Sequence, residues 1–245
     1  GQKGSEAAKE TAELVLADDN FASIAAAVRE GRTVYDNLKK VISFLLPVNG
    51  GESLSLIIAI LLGLTLPITP VQILWVNMVT AVTLGLALAF EPAEENVMAR
   101  APRDPKEPIL TRFLVWRVVF VSLLLVSFVF GAYLWFLDRG AEVELARTMA
   151  VNLLVAGEIA YLFNIRNLHD NALSLRGLFG SRPALIATGL VVAAQVLYTD
   201  VGFMQDLFGS TNLSLWQWGL VAATLVVVFL IIEAEKAIFR RLGKR

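Results

Sequence analysis

The sequence contains no cysteine and a single histidine, and its 21 Lys and Arg nearly cancel its 22 Asp and Glu, leaving a net charge of −1 over 245 residues. The missing cysteine excludes disulfides, thiol catalysis and thiolate metal sites together, and leaves the redox compartment unreadable. The balanced charge offers no basic patch, so no nucleic-acid partner is expected. No fixed-period repeat and no low-complexity tract interrupts the chain. There is also no charged-then-apolar leader, because the sequence opens at Gly1 in a polar stretch; it reads as a piece of something longer. What the sequence has in abundance is apolar residues. They make up 56% of it, or about 61% when Gly is counted in place of Tyr, against roughly 45–50% in soluble domains. A soluble globular enzyme is excluded on that ground.

Apolar runs fall at about 41–62, 70–90, 113–137, 145–165, 183–202 and 214–233, punctuated by Pro, Gly or charge clusters. Each approaches or exceeds the roughly 20 residues that cross about 30 Å of hydrocarbon. Six spans place both ends on one side. The Lys and Arg count identifies that side as cytoplasmic, since 19 of the 21 lie in the two terminal regions and in the second-to-third and fourth-to-fifth connections. Only Arg139 and Arg147 lie in the opposite connections.

From Phe21 to Lys40 the residues Phe21, Ile24, Ala25, Val28, Tyr35 and Leu38 recur at roughly helical spacing, and no Pro intervenes before Pro47. This predicts a helical stalk over 21–40 that runs into the first span, with an interfacial helix lying on the membrane as the alternative. Ahead of it, Gly4 to Thr11 suits a short helix and Glu13 to Ala17 a buried strand. Some twenty residues cannot fold alone, so 1–20 read as the last αβ unit of a missing soluble domain. The expected fold is thus an all-α integral membrane bundle of six transmembrane helices over 41–245, with a cytoplasmic helical stalk and a short α/β remnant.

Polar residues inside the spans carry the chemistry. An ionised carboxylate at the bilayer centre costs several kcal/mol unless it faces a cavity or a partner. Glu52 stands in the first span three residues after Asn49, on one helical face. Pro47 and Gly50-Gly51 between and before them predict a broken or loosened helix with freed carbonyls; the alternative is that the glycines permit close packing. The second span places Asn77 and Thr80 three residues apart, and a connection of about eight residues makes it the antiparallel neighbour of the first. Interhelical hydrogen bonding is the plainer reading of that pair. Glu158 is the second carboxylate, among apolar residues of the fourth span, with Asn152 and Thr148 further along; a protonated, hydrogen-bonded Glu is the plainer reading there. Oxygen ligands of this kind suit a hard cation such as Ca2+, which takes six to eight of them. His169 reads as a loop residue, so a soft-metal site is not expected. Gln195, Tyr198, Trp116, Trp135, Trp216 and Trp218 read as packing or interfacial anchors, and Glu233 and Glu235 as the start of a polar exit from the membrane.

These residues resemble a known family. The stretches from Lys3 to Glu10 and Ala17 to Phe21, then Gly31-Arg32 and Tyr35 to Lys40, are similar to the end of the phosphorylation domain and the stalk of type II P-type cation-transporting ATPases. Asn49-x-x-Glu52, the run from Pro70 to Thr80, and the run from Arg100 to Pro108 continue the likeness in order and spacing; beyond about residue 110 it rests on topology and Glu158. The resemblance is closest to the calcium-pump branch. It implies transmembrane helices five to ten of a ten-helix pump, preceded by the end of a phosphorylation domain over 1–20, in a bacterial plasma membrane. It also implies cation ligands at Asn49, Glu52, Asn77, Thr80 and Glu158. Where calcium pumps of that branch carry an Asp after the Thr, this sequence has Ala81. A two-calcium stoichiometry is therefore not implied; a single site, another ion or proton co-transport stay open.

No Asp-Lys-Thr-Gly nucleophile motif occurs in these residues. The resemblance therefore implies that ATP and Mg2+ are bound by cytoplasmic domains outside this chain, that these domains and the first four helices are its partners with the lipid bilayer, and that the chain alone does not hydrolyse ATP. The loop over 91–112 would contact the phosphorylation domain. A different class of function is a free-standing six-helix module or secondary carrier derived from such a pump.

Overall fold

In a computed structural model of the chain, residues 1–94, 96–102, 108–166 and 179–241 are described. His169 and Arg103 to Glu107 lie outside them, and with them the loop reading of the histidine.

Helix α1, Glu6–Thr11, starts at Ser5, whose side chain accepts from the Ala8 amide. The strand expected over Glu13 to Ala17 does not form. A strand needs a neighbouring ladder, and none exists among the described residues; Leu14 and Val15 are exposed instead. Gln2 closes this segment on itself by donating through its amide to Asp19 and through Nε2 to the Ala17 carbonyl.

Helix α2, Phe21–Leu61, is 41 residues long and begins at the Asn20 cap. At 1.5 Å per residue it is about 60 Å long, twice the roughly 30 Å of a hydrocarbon core and so longer than one span requires. It is continuous across 40–41, as the stalk reading expects. It is also continuous through Pro47 and Gly50-Gly51, where the sequence predicts a break. The glycines serve close packing: a Cβ at Gly50 would collide with Ser122 Oγ, and one at Gly51 would sit 3.2 Å from Leu125 Cβ.

The second span is interrupted instead. Helix α3, Pro70–Val76, opens with Pro at its first position and a reciprocal capping box between Thr69 and Gln72. A π turn, Asn77–Ala81, follows, and α4, Val82–Ala89, completes the span. In the π turn the Val82 amide reaches back five residues to the Asn77 carbonyl. The β-branched Val79, Thr80, Val82 and Thr83 crowd this stretch, and Thr80 Oγ1 donates to the Val76 carbonyl at 2.8 Å, a back-bond that loosens a helix.

Helices α5, Arg112–Asp138, α6, Val143–Arg166, α7, Arg182–Asp200, and α9, Leu215–Arg241, supply the other four spans. A short α8, Gly202–Phe208, that the sequence reading did not anticipate lies between α7 and α9 and ends at Gly209 in the left-handed conformation. Helix α6 is the axis of the bundle. Its apolar window is 94% buried, whereas no other span exceeds 44%. Small residues such as Ala146, Ala150, Gly157 and Ala160 let its neighbours close in; a Cβ at Gly157 would lie 2.6 Å from Leu125 Cδ2. α5 packs between α2 and α6, α9 packs on α6, and α4 packs on α2 and α7.

Candidate cation site

Four of the five residues singled out in the sequence converge inside the bundle. Glu52 on α2 is 4% exposed, and its Oε2 accepts from Asn77 Nδ2 at 2.7 Å. Asn77 begins the π turn and also donates to the Ile73 carbonyl at 3.2 Å. Thr80, in the same turn, and Glu158, on α6, are wholly buried. Glu158 lies close enough to Glu52 for each carboxylate to feel the other's charge, and close to Thr80. Thr80 Oγ1 donates to the Val76 carbonyl at 2.8 Å and lies beside Glu158, with lone pairs left over for this space.

Asn49 does not join them. It is exposed on α2, although it stands one turn before Glu52. Residues three apart lie about 60° from each other around a helix, enough for Glu52 to face inward and Asn49 to sit at the rim.

The convergence leaves oxygen atoms without donors. Glu52 Oε1 and both carboxylate oxygens of Glu158 are buried and have no hydrogen-bond partner among the described residues. No Arg or Lys is paired with either group in the ion pairs of the described residues. Two like-charged groups held side by side with spare lone pairs suit a bound cation. Among the described residues no three His, Cys, Asp or Glu converge, so the remaining ligands of such an ion would be amide, hydroxyl, carbonyl or water oxygens.

The freed carbonyls expected around Pro47 are not open. The Ser43 carbonyl, which would accept from residue 47, accepts from Tyr161 OH at 2.7 Å, and the Pro47 carbonyl accepts from Ser122 Oγ at 2.9 Å. Asn152 and Thr148 are likewise engaged elsewhere: Asn152 Nδ2 donates to Thr148 O and Thr199 Oγ1, and Thr148 Oγ1 accepts from the Thr211 amide. Gln195 packs as expected, with its Oε1 accepting from Trp75 Nε1 at 3.2 Å. Tyr198 stacks on Trp75.

A second polar cluster, near the end of the bundle that carries both termini, departs from the sequence reading. Glu233 and Glu235 are 4% and 7% exposed and belong to the packed part of α9. Glu235 pairs with wholly buried Arg117 of α5 at 2.6 Å and accepts from Trp116 Nε1 at 3.1 Å; Glu233 pairs with Lys236 at 3.1 Å. Arg117 falls among the charges of the second-to-third connection in the sequence reading, yet it follows Phe113 by four residues within one helix, and a lone Arg in an apolar run is the signal that marks it. Nearby, Arg166 pairs with Glu91 at 2.7 Å and Lys40 with Glu94 at 3.0 Å. The segment after α4 is strapped along α2: Arg32 donates to the Val97 and Arg100 carbonyls, Asn37 to the Ala89 and Glu91 carbonyls, and Arg100 pairs with Asp36.

Residues 65–238 match the family described as "Cation transporting ATPase, C-terminus". The chain is 43% identical over 235 residues to the "Probable cation-transporting ATPase F" of Mycobacterium tuberculosis, an alignment covering 96% of this chain and 26% of that protein. It is 40% identical over 233 residues to the "Cation-transporting ATPase pma1" of Synechocystis, covering 92% and 26%. The "Calcium-transporting ATPase 1" of Bacillus cereus is 35% identical over 251 residues, covering 96% and 28%. The chain spans about a quarter of the length of these relatives.

Proposed function

From the premise that the chain belongs to the cation-transporting ATPases, in the C-terminal part of the family, we propose that it forms the cation-binding membrane half of an ATP-driven pump. The observation that carries this reading is the pair Glu52 and Glu158, buried together with three of their four oxygens lacking donors. Ca2+ is the cation proposed, exported from the cytosol. Two carboxylates neutralise one divalent ion, oxygen is its preferred ligand, and a relative at 35% identity bears a calcium name. Asn77 and Thr80 complete this side of the site through the π turn, a geometry that often marks functional positions in helices.

Asn49, exposed at the rim, faces the side from which a helix of the rest of the pump would complete the coordination sphere. Both termini are cytoplasmic, in what is proposed to be a bacterial plasma membrane. ATP and Mg2+ bind on domains outside these residues, so this chain alone is inactive. Residues 1–20 belong to the end of the phosphorylation domain. Helix α2, rigid over both its projecting and its membrane halves, carries movement of that domain to Glu52.

The test is ATP-dependent uptake of radiolabelled Ca2+ by inverted membrane vesicles containing the full-length pump. Uptake that is lost in Glu52→Gln and Glu158→Gln supports the reading. Uptake and Ca2+-stimulated ATP hydrolysis unaltered in both variants would reduce the carboxylates to packing groups. Carriage of the ion down its gradient without ATP would favour a secondary carrier.

A further inference from the structure

We propose that Tyr161 is a positioning residue for the carboxylate pair, its phenol hydroxyl standing in for the backbone amide that Pro47 lacks and so tying α2 to α6 beside Glu158. The inference rests on the reading of that pair as the cation site.

In an α-helix the amide of residue 47 donates to the carbonyl of residue 43. Proline has no amide hydrogen, so the Ser43 carbonyl loses its partner inside a membrane bundle, where no bulk water can replace it. Tyr161 fills that gap. It comes from a different helix, is wholly buried, and donates to Ser43 O at 2.7 Å. Its ring is stacked on Phe44 with centroids 5.9 Å apart and an interplanar angle of 18°, so packing aims the hydroxyl before the hydrogen bond forms. Ser122 of α5 holds the next exposed acceptor, the Pro47 carbonyl, at 2.9 Å. The same short stretch of α2 is therefore gripped from α5 and from α6.

The tie is placed to matter for the site. Tyr161 follows Glu158 by three residues on α6 and shares its face; its acceptor Ser43 precedes Glu52 by nine on α2, and Arg117 and Glu235 lie within electrostatic reach of its hydroxyl, so the tie fixes α2 against α6 on the side of the pair that faces that ion pair. No Lys or Arg is paired with either carboxylate in the ion pairs of the described residues, so when both are ionised they repel one another in a medium that screens poorly. Their separation has to be held by backbone-level constraints on the helices that carry them. A hydrogen bond from a side chain of one helix to a carbonyl of the other, available only because position 47 is proline, is such a constraint.

This makes residues 47 and 161 energetically dependent on each other in a defined way. Replacing Pro47 by Ala returns an amide to the Ser43 carbonyl, after which the Tyr161 hydroxyl is redundant. The experiment is a double-mutant cycle of Tyr161→Phe and Pro47→Ala in the full-length pump. It reads the half-saturating Ca2+ concentration and maximal rate of ATP hydrolysis, and separately the thermal midpoint of the purified protein without Ca2+. Y161F keeps the ring and its stacking. In the Pro47 background it is expected to raise the half-saturating Ca2+ concentration about three- to tenfold, with the maximal rate within about twofold. In the P47A background the same change is expected to shift it by less than about twofold.

Equal shifts of Ca2+ half-saturation in both backgrounds would overturn the proposal, because the hydroxyl would then act independently of the missing amide. A lower thermal midpoint for Y161F with unchanged Ca2+ half-saturation would overturn it too, leaving the tie as a packing bond alone. A wild-type pump that ignores Ca2+ and every other cation tested would remove the cation-site reading and the positioning role with it. Coupling of the two substitutions in the thermal midpoint would even then report the tie itself, so the two failures are distinguishable.

Discussion

The molecule buries ionisable groups in two places and treats them in opposite ways. At the end of the bundle near the C-terminus, each buried acid among the described residues has a base: Glu235 with Arg117, Glu91 with Arg166, Glu233 with Lys236. In the middle of the bundle Glu52 and Glu158 lie within electrostatic reach of one another, with one amide donor on Glu52 and three oxygens without a hydrogen bond. Both clusters bear the desolvation cost of removing charge from water. The first recovers part of it through opposite charges, although Arg117 Nε and Nη1 and Glu233 Oε2 make no hydrogen bond among the described residues; the second has no opposite charge paired with it there. A buried pair of opposite sign is a structural joint, whereas a buried pair of acids with idle lone pairs is what the proposed cation would satisfy.

That contrast is broken most severely at the joint. Arg117→Ala leaves Glu235 buried without its partner and is expected to lower stability by about 3–5 kcal/mol; Arg117→Met combined with Glu235→Leu should recover most of it. Denaturation of the purified protein checks both, and a single variant as stable as wild type would mean that the pair is open to water. The opposite result is expected at the carboxylate pair. Glu158→Gln removes one of the two acids and with it their mutual repulsion, so the thermal midpoint should hold or rise while Ca2+ affinity falls by at least about thirtyfold. A variant that loses stability and affinity together would make Glu158 another joint.

Smaller effects sharpen the comparison. Ala81→Asp adds a third carboxylate beside Thr80 in the π turn and is expected to shift Ca2+ half-saturation by about tenfold. Superimposable titration curves would show that position 81 does not face the ion. Least is expected from Asp36→Asn, which weakens the partly exposed pair with Arg100: a loss of at most about 1 kcal/mol and no change in Ca2+ affinity. A larger loss would show that the strap along α2 does more than hold the segment after α4.

The two clusters were unequally visible in the sequence. Glu52 and Glu158 stand out because a carboxylate amid apolar residues has no ordinary explanation. Arg117, Glu233 and Glu235 did not, because each lies within a turn or two of an expected span end, where charge is normal. Nothing local distinguishes a charge at the membrane surface from one folded under a neighbouring helix. Pro47 misled for a related reason: proline removes a hydrogen bond from its own helix, but whether the helix breaks depends on whether another element returns one, and here Tyr161 does. The real irregularity, the π turn at Asn77–Ala81, lies in a segment with neither Pro nor Gly.

By itself the sequence determined the class of protein, the number of spans, the continuity of the first helix across 40–41 and the burial of Glu52 and Glu158, since these follow from hydrophobic length, helical spacing and the cost of charge in lipid. Tertiary structure alone decided which helix is the axis, which polar residues share a space, and which acceptors already have donors. α6 and α7 have nearly the same mean hydropathy, 1.4 and 1.3, and yet α6 is 94% buried and α7 33%, so hydropathy alone does not say which helix the others cover. That covering is a relation among segments far apart in the chain, and no single stretch of sequence contains it.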